Sequence, residues 1–454
     1  MMALSFGVRA GGFAVLLPLA LQHFSVGDVN LWLLFGVLAA VLNLLDFGFL
    51  PTFVRFVAAS QAAAGDSRSG AAAVDYVAAA REEPVAVVAT MRVVYRRITT
   101  VATSIGLLAG SAVVAGPIAE ASSTMLAWSA WLLTVIGSAV RLFGGQYSAW
   151  LQGVEQIALL RRWESLIGTV AIAAASLAVV LDLGLLGVVA ATQAGALVNF
   201  AVNRQLAKRL SSGSWEGGVE VSQRIMGFLW PAAWRSGIGT LAAAGVVQAT
   251  GIVYAQLVPA QSSAPYLLAL RLADVARNLA NVFFYSKIPL LSRLFGEGQI
   301  DRVRAIARLG MFRTNWSLVA AFIFLGAAGP TILDLISANT AFVSVDVWYL
   351  LGIAMALERI GAMHLQLYSL TNRIIWHKAN GIAGLIALAA MIPAYRFFDL
   401  AGFPLAMIAG LVLCYVPVAV LASYRTFELR VAEADLLPSV APLFALVAVF
   451  GWIA

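Results

Sequence analysis

Apolar residues run along this chain in stretches of about twenty with few polar interruptions, and short polar connections separate them. A helix needs roughly 20 apolar residues to cross the ~30 Å hydrocarbon core of a bilayer, where every backbone polar group must be satisfied within the structure. The stretches lie near 4–24, 29–58, 93–119, 125–152, 164–182, 185–207, 227–257, 264–291, 309–333, 345–371, 376–395 and 402–424. A shorter one over 437–454 carries Pro438 and Pro442 and reads as a full crossing, a partial insertion or a truncated one. The pattern therefore predicts an all-α polytopic membrane protein of about 12–13 transmembrane helices.

The connections alternate in character. Arg68, Arg81, Arg92, Arg96 and Arg97 fall after the second stretch, Arg161 and Arg162 after the fourth, and Lys208, Arg209 and Arg224 after the sixth. Arg293, Arg302, Arg304 and Arg308 follow the eighth, Arg373 and Lys378 the tenth, and Arg425 and Arg430 the twelfth. The intervening loops hold Asp28, Glu120, Asp182, Asp334, Asp346 and Asp399, with Arg396 their one basic residue. By the positive-inside rule the N-terminus is cytoplasmic, and one missed helix would invert every later loop.

Two breaks interrupt the run of helices. The segment near 59–91 is rich in Ala, Gly and Ser, and a short helix is expected near 71–80. SSGSWEGGVEVSQR lies near the midpoint and divides the chain into an N-terminal six-helix lobe (1–210), a cytoplasmic linker (211–226), a C-terminal six-helix lobe (227–430) and an extra hydrophobic segment (431–454). Both lobes run in the same direction after an even number of crossings, so a parallel repeat is expected with substrate between the halves.

Composition agrees with the pattern: 61% of residues are hydrophobic and 11% charged, against about a quarter charged in a soluble domain. The net charge of +7 reflects loops facing anionic lipid and not nucleic acid. Cys414 stands alone, so no intramolecular disulfide forms. His23, His364 and His377 are widely spaced, and neither paired Cys/His ligands nor a Walker-type glycine loop is present, which sets aside a metalloenzyme or an ATPase. No catalytic residues, bound metal or cofactor are expected.

Among the charges inside the apolar stretches, ten stand out: Arg9, Asp46, Arg55, Arg141, Arg235, Arg271, Asp274, Arg277, Glu358 and Arg359. Each costs roughly 2.5–3.5 kcal/mol on insertion scales unless paired, hydrated or facing a ligand. Arginines outnumber acids, so pairing among themselves does not account for all of them. Arg9 and Arg235 open the two halves, and an acid follows each about forty residues later, Asp46 and Asp274. Asp46 either pairs with Arg9 or Arg55 or serves as a protonatable or cation-binding carboxylate. Gly48 and Pro51 just beyond it invite a bend.

Arg271, Asp274 and Asn278 share one helical face with Arg277 displaced to its side, which suits either an internal Arg–Asp pair or a cavity wall. Glu358 and Arg359 project about 100° apart, which makes them poor partners for each other, so at least one should find a partner on another helix. His364 fits a hydrogen-bonded structural histidine better than a proton relay, and Arg141 is placed to snorkel to the membrane surface.

On LLDFGFLPTFVRF in the second stretch, RLADVARNLANVFFYSKIPLLSRL in the eighth, the early Arg9 and the basic loop between the second and third stretches, the chain resembles the multidrug/oligosaccharidyl-lipid/polysaccharide exporter superfamily, and within it the polysaccharide-biosynthesis (Wzx-type) flippases. That resemblance implies a V-shaped pair of lobes in the bacterial inner membrane. It further implies alternating-access transport of a polyprenyl-diphosphate-linked oligosaccharide for surface polysaccharide biosynthesis. It makes Arg9, Arg55, Arg235 and Arg271 the substrate contacts, and Asp46, Asp274 and Glu358 the coupling or pairing acids, with H+ or Na+ as possible coupling ions. Membrane lipids and a polysaccharide polymerase are the implied partners. A drug/cation antiporter of the same superfamily, for which an acid-dominated cavity is expected, and a non-transporting partner of a glycan polymerase are the alternatives.

Overall fold

A computed structural model of the chain describes residues 15–65, 84–211, 215, 222–371, 375–429 and 436–453. Arg9, Arg68, Arg81, Arg373, Arg430 and the helix expected near 71–80 lie outside the described residues. Those that are described form helices and no strand. Nine helices among them are long and apolar enough to cross a membrane, and the chain is a multi-pass membrane protein. Two compact units divide it, Met1–Leu241 and Ala242–Ala454.

In the first unit, residues 15–23 are helical. They are followed by α1 (Val26–Leu44), α2 (Phe49–Gly65), α3 (Pro84–Ile105), α4 (Ser111–Ala119), α5 (Thr124–Gly153), α6 (Ile157–Val180) and α7 (Gly184–Leu210). Ser25 caps α1, its Oγ accepting the Asp28 N–H at 3.1 Å. Asp28 then accepts from the Ser122 hydroxyl, and a Cβ on Gly27 would meet the Glu120 carbonyl, so the start of α1 is tied to the end of α4. The centre of the unit is α5, which packs against α1, α2, α3 and α7. Its Gly145 carries the ring of Tyr95, which a Cβ there would approach to 2.7 Å.

Helix α8 (Gln223–Leu257) crosses the division, its first part packing with the first unit. Trp215, from the Gly/Ser-rich break before it, is buried against Tyr147 with ring centroids 4.6 Å apart, and its carbonyl accepts from Arg92 at 2.7 Å. Ser222 N–H donates to Thr90 Oγ1 at 3.2 Å. The break is thus stitched to the core formed by Phe53, Phe56, Met91, Tyr95 and Trp150.

The second unit continues with α9 (Ala260–Tyr285), α10 (Ile288–Gly296), α11 (Ile300–Leu335), α12 (Val345–Tyr368), α13 (Trp376–Phe398), α14 (Gly402–Gly410), α15 (Val416–Phe427) and α16 (Ala441–Ile453). Its centre is α12, the most enclosed of the long apolar helices, which packs against α9, α11, α14, α15 and α16. There Gly361 receives the ring of Tyr415, 2.3 Å from where a Cβ would stand. Both units are therefore organised around one long central helix. The apolar run from Trp376 to Phe427 folds as two crossings, because Asp399 at φ 51° and a short turn reverse the chain. Helix α16 has 13 residues, about 20 Å of rise, and sits against α11, where Asn315 donates to the Pro438 carbonyl at 2.8 Å.

One boundary read from hydropathy is corrected. The third helix starts at Pro84 and not near 93, so Arg92 joins Arg96 and Arg97 within α3, and none of the three lies in a loop. Val87, Val88, Met91 and Tyr95 face the core while Arg96 and Arg97 are exposed, and a window summed over all faces misses such an amphipathic start.

Candidate functional site

In the first unit the Asp-Phe-Gly sequence breaks the second crossing. The helical ladder stops after Leu44 and resumes at Phe49, with Phe47 at φ 49° and Gly48 at φ 72°. Left-handed backbone at two successive residues interrupts the helical path, a conformation that glycine adopts without penalty and phenylalanine does not. Asp46 rescues the new helix start: its Oδ2 accepts the Leu50 N–H at 3.0 Å, and its carbonyl accepts the Phe49 N–H at 3.0 Å. Asp46 also faces the buried Tyr95 hydroxyl. Arg55 is exposed on α2 and donates from Nε to the Pro51 carbonyl at 3.2 Å.

Helix α8 meets this break closely, since a Cβ on Gly237 would lie 2.6 Å from Phe47 Cα. Beside the contact is a cavity of about 520 Å³ walled by Phe47, Phe49, Val101, Trp230 and Trp234, with Arg97 as the charged residue of its lining. Arg235 is exposed, its guanidinium carbon 5.6 Å from the centroid of the Trp234 ring. The sequence reading missed Arg97 because it was assigned to a loop. Its three-residue spacing from the core residue Val94, which puts the two on neighbouring positions of one helical face, was the available signal.

The second unit gathers its charges into a network. Asp274 accepts from Arg277 at 2.7 Å and also faces the charge of Arg271, which is exposed on α9. Glu358 faces Arg277 and takes a forked pair of bonds from Arg359, whose Nη2 lies 2.7 and 2.8 Å from its two carboxylate oxygens. The expectation that Glu358 and Arg359 are poor partners is overturned, because a four-bond arginine side chain folds back across the 100° offset between adjacent helical positions. Arg359 also finds the expected partner on another helix: it donates to Asn281 and lies over the Tyr285 ring, 5.8 Å from its centroid. Among the described residues this network gathers three arginines and two carboxylates.

His364 is fully buried and hydrogen-bonded at Nδ1 to Ser423 Oγ, 2.6 Å away. Arg141 is exposed and donates to Gln193 of α7, whose side chain fills the space that Gly137 leaves. Among the described residues no three His, Cys, Asp or Glu side chains come together in a metal-holding group. The candidate substrate arginines Arg55 and Arg235 belong to the first unit and Arg271 to the second.

The fold is that of the multi-helix membrane exporters. An inward-facing multidrug resistance MATE family transporter of the MOP superfamily superposes with a TM-score of 0.67 over 94% of this chain and 98% of its own, at 12% identity. The lipid II flippase MurJ, in an inward closed conformation, superposes with a TM-score of 0.66 over 99% of this chain and 92% of its own, also at 12% identity. A eukaryotic MATE transporter gives 0.56 over 97% of this chain and 98% of its own, at 13%. No protein-family model matches the chain. No curated protein matches its sequence.

Proposed function

We propose that this protein is a transporter of the MOP superfamily, of the polysaccharide-biosynthesis flippase branch. It carries a polyprenyl-diphosphate-linked oligosaccharide across the bacterial inner membrane by alternating access. The observation that carries the reading is the preponderance of arginine in the charged network of the second unit, where Arg271, Arg277 and Arg359 gather around Asp274 and Glu358. Guanidinium groups bind diphosphate oxygens through paired charge-assisted bonds, and a low-dielectric setting strengthens the attraction. A lipid-linked anion matches that preponderance in a way that an organic cation does not. The fold shared with MurJ, named a lipid II flippase, supports the same class.

Exposed Arg55, Arg235 and Arg271 are the proposed substrate contacts, with Asp46, Asp274 and Glu358 in pairing or coupling roles and surface-polysaccharide polymerases as proposed partners. In a strain dependent on this protein for surface polysaccharide, Arg271→Ala and Arg235→Ala are expected to reduce export at least tenfold at unchanged protein level. Export at the wild-type level in both variants overturns the reading. The antiporter alternative draws on the MATE fold neighbours, and efflux of a lipophilic dye cation that survives both substitutions would favour it.

A further inference from the structure

We propose that the aromatic cavity of the first unit is a binding site for an anionic membrane phospholipid, which enters it with one acyl chain and places its phosphate on Arg97. The cavity holds about 520 Å³, within the roughly 300–1,000 Å³ of sites that enclose a small molecule. Its wall of Phe47, Phe49, Val101, Trp230 and Trp234 offers an apolar chain no hydrogen-bonding competition. Trp230 is 55% and Val101 56% exposed, so the cavity opens outward.

Depth along two helices places it at a membrane interface. The far ends of α1 and α4 are joined through Asp28 and Ser122, which sets them at one level. From there α1, with 19 residues, descends about 28 Å to the Asp46–Gly48 break, and the helix from Ala119 back to Arg97 descends about 33 Å. Both lengths match the ~30 Å hydrocarbon thickness, so the cavity lies where phospholipid phosphates and interfacial tryptophans reside. Arg97, the charged residue of its lining, matches the single negative charge of a phosphodiester and not the greater charge of a diphosphate.

The test uses the full chain, purified in detergent and stripped of lipid, titrated with phosphatidylglycerol and separately with phosphatidylcholine. Bound lipid is counted by native mass spectrometry, and contact is read from quenching of tryptophan fluorescence by brominated phosphatidylglycerol. Phosphatidylglycerol is expected to bind with 1:1 saturation, and Arg97→Ala to weaken it about fivefold, to the level of phosphatidylcholine, with Arg97→Lys retaining most of the preference. Ile238 also lines the cavity, and Ile238→Phe fills it without adding a tryptophan and with Arg97 in place, so it should abolish the quenching that Trp230 and Trp234 contribute even if Arg97→Ala fails to fold. Equal binding of both lipids, binding unchanged in Ile238→Phe, or one-for-one displacement of phosphatidylglycerol by a polyprenyl diphosphate overturns the proposal. The last outcome would assign the cavity to the transported lipid instead.

Discussion

Arg359 shows how a guanidinium persists 5% exposed inside an apolar helix: it engages Glu358 through three bonds, donates to Asn281 and stacks over Tyr285. Removing one member of such a pair strands the other charge, which costs roughly 3–5 kcal/mol, whereas replacing both with apolar groups of similar volume is often close to neutral. Arg359→Met is therefore expected to lower the thermal melting point in detergent sharply, and Glu358→Leu combined with Arg359→Met to restore most of it. A double variant as unstable as the single one would show that Asn281 and Tyr285, and not Glu358, hold Arg359 in place. Close backbone contact makes a second test at this scale. Gly361→Ala forces a methyl within 2.3 Å of the Tyr415 ring, and overpacking of this kind costs about 1–3 kcal/mol, read in the same melting experiment. That Glu358 and Arg359 were buried charges was legible in the chain. Their pairing was not, because helical geometry fixes only where side chains start and not where long flexible ones end.

The broken second crossing is an element whose cause is local. Gly48 and Pro51 announce a bend, and the structure supplies it with two left-handed residues and a carboxylate cap on Leu50. Asparagine caps helices about as well as aspartate, so Asp46→Asn should preserve stability while Asp46→Ala costs about 1 kcal/mol. Transport distinguishes the roles: a purely structural cap leaves Asp46→Asn active, and a coupling carboxylate leaves it stable but inactive in the same export assay. The break after the sixth crossing was equally visible from its Gly and Ser content. Its anchoring by Trp215 was not, since nothing around a lone tryptophan in a polar segment points to the Tyr147 and Trp150 rings it packs against, more than sixty residues upstream. Trp215→Ala is expected to destabilise the first unit by about 3–5 kcal/mol, seen as faster proteolysis at the break.

At the scale of the whole molecule, the alternation of basic and acidic connections makes a topology test. Reporter fusions at Gly298, after the eighth crossing, should behave as cytoplasmic, and fusions at Ser122, after the third, as external; the opposite result inverts the proposed orientation. Each unit places one long helix at its centre and lays a tyrosine ring on a glycine of that helix, Tyr95 on Gly145 and Tyr415 on Gly361. This correspondence extends the positional likeness of Asp46 and Asp274 seen in the two halves. The amino-acid sequence by itself determined the all-helical, multi-pass class and the order of its apolar helices, because hydropathy is local and sums along the chain. Only the tertiary structure decided which charges satisfy one another and that Arg97 belongs to an aromatic cavity. Those relations join side chains far apart in sequence, as Arg359 and Asn281 are, and no sum along one helix contains them.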